Sequence, residues 1–288
     1  MIRIILIAAA AMATPPAAAA PQSSPPAAQP SPAAPPYADL ADLVLAAPIV
    51  ADATIRSASR IKGPEAAGVA PGLQRFYVEA NVTALIRGAA GLPPRVGYLV
   101  DVAPDARGRT PRLRKQRVLL FARPTSAPGQ LQLAAPDAQV GWTPAAEARV
   151  REIARAVVAS NAAPAITGIG DAFHVPGALP GESETQVFLR TAEAQPVSLS
   201  ILRRPGQSPR WSVALGEIVD DAAGPPSRDS LLWYRLACGL PATLPETSTT
   251  ALEPASASAA RADYDFVRTA LGACGRTRGA STSGAAPA

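Results

Sequence analysis

Histidine is almost missing from this sequence: His174 is the only one in 288 residues. Serine-hydrolase triads and most zinc sites are built on histidine, so both are narrowed to arrangements that use this one side chain. There is no Gly-x-Ser-x-Gly elbow, no Gly-x-Gly-x-x-Gly run and no phosphate-binding loop, which leaves a nucleotide without a seat, and no cofactor is expected. Aromatic residues make up only 5% of the chain, so a core must be built mainly from Val, Leu, Ile and Ala. Lysine occurs only at Lys62 and Lys115; arginine carries nearly all the positive charge, a bias that fits a GC-rich bacterial coding sequence. The formal charge of +5 is mild for this length, and no basic face interleaved with aromatics stands out, which argues against nucleic acid as a partner.

What is present begins with Arg3, an apolar run from Ile4 to Ala13, and small residues up to the mid-20s. That run is far short of the ~20 residues needed to cross a bilayer. It reads as a secretory signal peptide over residues 1–19, cut after Ala19 or Ala20, with Ala13 as the earlier alternative. The expected localisation is periplasmic or secreted, with no transmembrane segment in the mature chain. Export gives the two cysteines a meaning. Cys238 and Cys274 are an even pair in an oxidising compartment, which favours a disulfide over reactive thiols, and Cys238 lies in apolar surroundings that do not activate a thiolate.

A Pro/Ala/Ser tract over residues 20–36 reads as a semi-rigid tether. Folding starts near Tyr37 with a helical turn's worth of residues and a strand over residues 47–55. Phe76, Val78, Ala80, Val82, Ala84 and Ile86 then alternate with polar neighbours, as do Val96, Tyr98, Val100 and Val102. Further strands are expected at residues 118–122 and 131–133. Thr143 as N-cap, Pro144 behind it and apolar residues at Val150, Ile153, Ala154, Val157 and Val158 give the clearest helix, ending near Asn161. The second half reads as an antiparallel meander that includes "LLWYRLACGLP", with a bulge at Gly216 that keeps Ile218 apolar. The fold class expected is α+β, mostly antiparallel. A β-rich, barrel-like domain spans 37–143 and a helix-plus-meander domain 144–245. A linker at 246–261, a short disulfide-tethered helix at 262–274 and a disordered tail at 275–288 complete the chain. Oligomeric state is not indicated.

"ADLVLAAPIVADATI", "YVEANVTALIRG", a short strand and "QRVLLFAR" follow one another in an order that resembles bacterial netrin-like modules, relatives of the tissue inhibitors of metalloproteinases. The resemblance covers residues 38–160. It implies a closed five-stranded barrel of the oligonucleotide/oligosaccharide-binding type with a terminal helix at 144–160. Those inhibitors act through an N-terminal cysteine, and this sequence has none before Cys238, so no functional residue is carried over.

Two chemical possibilities remain. Arg107, Arg109, Arg112, Arg114, Lys115 and Arg117 crowd into "RGRTPRLRKQR", a patch suited to an anionic envelope polymer, lipid headgroups or an acidic partner such as an envelope protein, or else a solvated loop. The alternative is an exported hydrolase in which His174 works with a nearby carboxylate such as Asp171 and a serine such as Ser183. Carboxylates at Asp171, Glu182, Glu184, Glu217, Asp220 and Asp221 also permit a paired-acid site, without any spacing that requires one. The absent catalytic set, the tether and the basic loop favour a non-catalytic binding or accessory module.

Overall fold

The alternating stretches of the first half pair into a sheet that closes on itself. A computed structural model describes residues 34–105, 107–216 and 224–278. The expected signal peptide, most of the tether, Glu217, Ile218, Asp220, Asp221 and the tail from 279 onward lie outside the described residues. The chain runs α1 (Tyr37–Ala46), β1 (Ile49–Arg60), β2 (Gln74–Arg87), β3 (Arg95–Val102), β4 (Arg117–Pro124), β5 (Gln130–Leu133), β6 (Gln139–Gly141) and α2 (Pro144–Val158). It continues through β7 (Ile166–Pro176), β8 (Ser183–Thr191), β9 (Val197–Arg203), β10 (Arg210–Ala214), α3 (Leu231–Gly239) and α4 (Pro254–Leu271). The class is α+β with mostly antiparallel strands, and no described helix is long and apolar enough to cross a membrane.

Strands pair in the order β1-β2-β3-β5-β4, and β4 returns to β1, so five strands make a closed barrel; β6 adds to the outer side of β4. Among the described strands only β3 and β5 run parallel. Ile55, Val78, Ala80, Val96, Tyr98, Val118, Leu120 and Leu131 fill the interior. The run Val118–Ala122 is buried on both sides: Val118, Leu120 and Ala122 point into the barrel, while Leu119 and Phe121 pack outside against the helices. This is why "VLLFA" reads as a continuous apolar run instead of an alternation. Gly97 serves close approach, since a Cβ there would collide with the hydrogen-bonded ends of Tyr77 and Gln130.

Sheet β10-β9-β8-β7 is a four-stranded antiparallel meander. Val187, Leu189, Val197, Leu199, Ile201, Trp211 and Val213 join a second core with α1, α2, α3, α4 and the outer wall of β4. The residue-143 boundary expected between two domains therefore passes through one shared core, and the described residues belong to one compact unit.

Several expectations are corrected. "LLWYRLACG" is the helix α3, not a strand; Ser230 caps it by accepting from Trp233 N–H at 3.1 Å. A short run buried over most of its length carries no period by which to tell strand from helix. Residues 246–261 are not a linker: Glu246–Thr249 is a 3-10 turn, and α4 begins at Pro254, eight residues earlier than expected. Its opening turns face the core with Ala257 and Ala260, methyl groups too small to register as an apolar stripe. The bulge expected at Gly216 is absent, because β10 stops at Ala214 and Leu215 is exposed. α1 is a full ten-residue helix, not a single turn.

Cys238 and Cys274 are joined, tying the end of α3 to the segment just past α4. The expected tail is also ordered at its start. Arg276 forks onto Asp42 at 2.6 and 2.9 Å, and Thr277 N–H and Arg278 N–H donate to Asp39 at 2.9 and 3.2 Å. Arg278 also forks onto Asp137 at 2.7 and 2.6 Å. Asp39, in the first turn of α1, is only 2% exposed. Residues 276–278 thus clasp the first helix.

Candidate anion-binding loop

The segment between β3 and β4 holds the arginine-rich stretch. Its first turn is built on Asp105, whose carboxylate accepts from the backbone N–H of Arg107 and Arg109, each at 2.9 Å, and from Arg109 Nε at 2.9 Å. The backbone bond from Arg109, then its side chain, hold the Asp105 carboxyl below the usual range. Farther along, Leu113 drops into the barrel interior and is 4% exposed. Gln116 Nε2 donates to Arg112 O at 2.7 Å. Lys115 takes a left-handed conformation, φ 69°, and its N–H donates to Ile55 O at 2.8 Å, while Ile55 N–H donates to Gln116 O at 2.9 Å. The loop is therefore fixed at its turn, its middle and its end.

These anchors sort the six cations. Arg107, Arg112, Arg114 and Lys115 are exposed, and none meets a carboxylate side chain among the described residues. Arg109 is paired with Asp105. Arg117 belongs to the fold: it forks onto Asp52 at 2.9 and 2.6 Å, stacks 3.7 Å from the Trp142 ring centre and lies 3.5 Å from Glu147. Asp52 is 1% exposed, so Arg117 neutralises an acid buried on the barrel's outer wall. One cation was missed from the sequence. Arg56 occupies the bulge between the pairs Ile55–Ala80 and Ser57–Glu79, exposed and next to the backbone bonds that hold Lys115. Only the register places it there, and no sequence pattern announces it. Arg56 thus joins Arg107, Arg112, Arg114 and Lys115 as exposed cations that meet no carboxylate side chain among the described residues, next to the anchored end of the loop.

His174 sits elsewhere, on β7 opposite Thr185. Its Nδ1 lies 2.8 Å from Thr185 Oγ1 and 3.9 Å from Asp263 Oδ2; Thr185 in turn donates to Asp263, and Arg203 Nε donates to Asp263 at 2.5 Å. Asp171 and Ser183 are not in this group. Thr185 is 0% and Asp263 1% exposed, so the hydroxyl between histidine and carboxylate is sealed from any substrate. The arrangement ties α4 to the second sheet. Among the described residues there is no cluster of three or more His, Cys, Asp or Glu placed to hold a metal ion.

No protein-family model matches this chain, and comparison with the curated proteins finds no match.

Proposed function

We propose that this chain is an exported, non-catalytic binding module of the cell envelope that captures an anionic polymer or an acidic protein face through the β3–β4 loop and Arg56. The observation that carries the reading is the anchoring of the loop by Leu113, Asp105 and the Ile55 backbone, which presents cations without carboxylate partners from an ordered support. Ordering matters because a pre-set loop loses less freedom on binding than a floppy one. The disulfide supports export. The closed five-stranded barrel is compatible with the netrin-like resemblance, which contributes a scaffold and no residue roles.

Polyglutamate is the probe. Wild-type chain should bind it with an affinity that falls as salt rises through ~0.05 to 0.3 M, since exposed charges are screened over about 10 Å at 0.1 M. Replacing Arg112, Arg114 and Lys115 with glutamine should weaken binding by about tenfold or more and flatten the salt dependence. Unchanged affinity in that variant rejects the loop as the binding surface. The hydrolase reading meets its own test in His174→Ala, which loses activity under that reading and only stability under this one.

A further inference from the structure

Away from the loop, a cleft of about 620 Å³ opens where α2 meets the end of β2. Its volume falls within the range of small-molecule sites. Arg87, Arg151 and Arg155 line it together with Pro48, Ile86 and Val158. We infer that this cleft binds a small carboxylate carried on an apolar body.

The charge balance fixes the class of ligand. Arg151 is committed to Glu147, with two contacts of 2.8 Å. Arg87 donates from one nitrogen to Val44 O at 2.5 Å and Ala47 O at 3.4 Å, capping the end of α1 and leaving its other donors unused among the described residues. Arg155 is exposed in the last turn of α2 and meets no carboxylate side chain among the described residues. Glu147 offsets one of the three guanidiniums, and the C-terminal ends of α1 and α2 each contribute about half a negative charge. About one positive charge is left in the cleft wall, which matches a monoanion better than a polyanion. Arg87 is already held in place by carbonyls, so its remaining donors are pre-set for a carboxylate.

The apolar side of the cleft supplies the other half of the ligand. Val158 is 69% exposed, and with Ile86 and Pro48 it forms an apolar wall that an alkyl group would cover. This site is separate from the β3–β4 loop and does not depend on that loop's role.

The test is calorimetric or NMR titration of the full chain with octanoate, with acetate and octanol as controls. Octanoate should bind saturably, and each control should bind at least about tenfold more weakly, because one lacks the apolar body and the other the charge. Arg155→Gln and Val158→Asp, both at exposed positions that the fold does not need, should each weaken octanoate by about tenfold. Absence of saturable octanoate binding, equal binding of either control, or affinity unchanged in both variants overturns the assignment.

Discussion

At Asp263 a single carboxylate holds three side chains from three strands: His174, Thr185 and Arg203. Removing it leaves a buried hydroxyl and a half-buried guanidinium without their acceptor. Asp263→Ala should lower unfolding stability by about 2 to 4 kcal/mol, and His174→Ala by about 1 kcal/mol. Urea denaturation measures both, and an Asp263→Ala chain as stable as wild type would contradict the assigned tie. Other residues set the response to pH. Hydrogen bonds from Trp142 and then Arg151 hold Glu147 below the ordinary carboxylate range, and Arg75 does the same for Asp101. Burial, with help from Asp42 at the first of them, pushes Tyr234 and Tyr264 up to about 12. A carboxylate depressed in the folded state stabilises above its unfolded value near ~4, and that contribution disappears as pH falls below it. A tyrosine raised in the folded state stabilises below its unfolded value near ~10, and that contribution is lost as pH climbs toward 12. The urea midpoint should therefore drop on both flanks, and a midpoint that rises above pH ~10 would refute the tyrosine part. Of these partners only the i,i+4 pair Glu147–Arg151 on α2 follows from residue spacing. The group around His174 joins β7, β8 and β9 to α4, and Arg117 finds Asp52 65 residues upstream.

Among the elements, legibility followed period. β2, β3 and β9 alternate and α2 has both a cap and an apolar stripe, so their positions followed from residue spacing alone. α3 and the first half of α4 did not, the former because its apolar run has no clear period and the latter because alanines make its contact face. The correction changes what the disulfide does. It fastens one helix to the chain leaving another, and Arg276, Thr277 and Arg278 follow at once to grip α1. On the chain-entropy model, a loop with its ends 36 residues apart contributes about 3 to 4 kcal/mol when closed. Cys238→Ala/Cys274→Ala should lose that amount by urea denaturation and should speed amide exchange in α1, because the clasp loses its fixed origin. Unchanged exchange in α1 would show that the clasp holds without the disulfide.

For the whole molecule, the alternations pointed to a barrel-like first half, but its closure rests on the β4–β1 pairing and the parallel β3–β5 pairing, both set by contacts far apart in the chain. The same holds for the shared core. α1, read from the sequence as a helical turn leading into the first strand, is buried against α2, α3 and the outer wall of β4, inside the core that the second sheet shares. The candidate site was half legible: its cations stand in one stretch of sequence, yet the structure moves Arg117 into the fold, pairs Arg109 and adds Arg56. What distinguishes a built site from a merely basic protein is position. The direct comparison is polyglutamate affinity of two variants that lose the same charge: Arg112, Arg114 and Lys115 replaced by glutamine, against Arg190, Arg204 and Arg210, all exposed on or beside the second sheet, replaced likewise. The loop variant should bind about tenfold or more weakly than wild type, with the second variant within about twofold. Equal loss in both would reduce the interaction to net charge and contradict a dedicated binding loop.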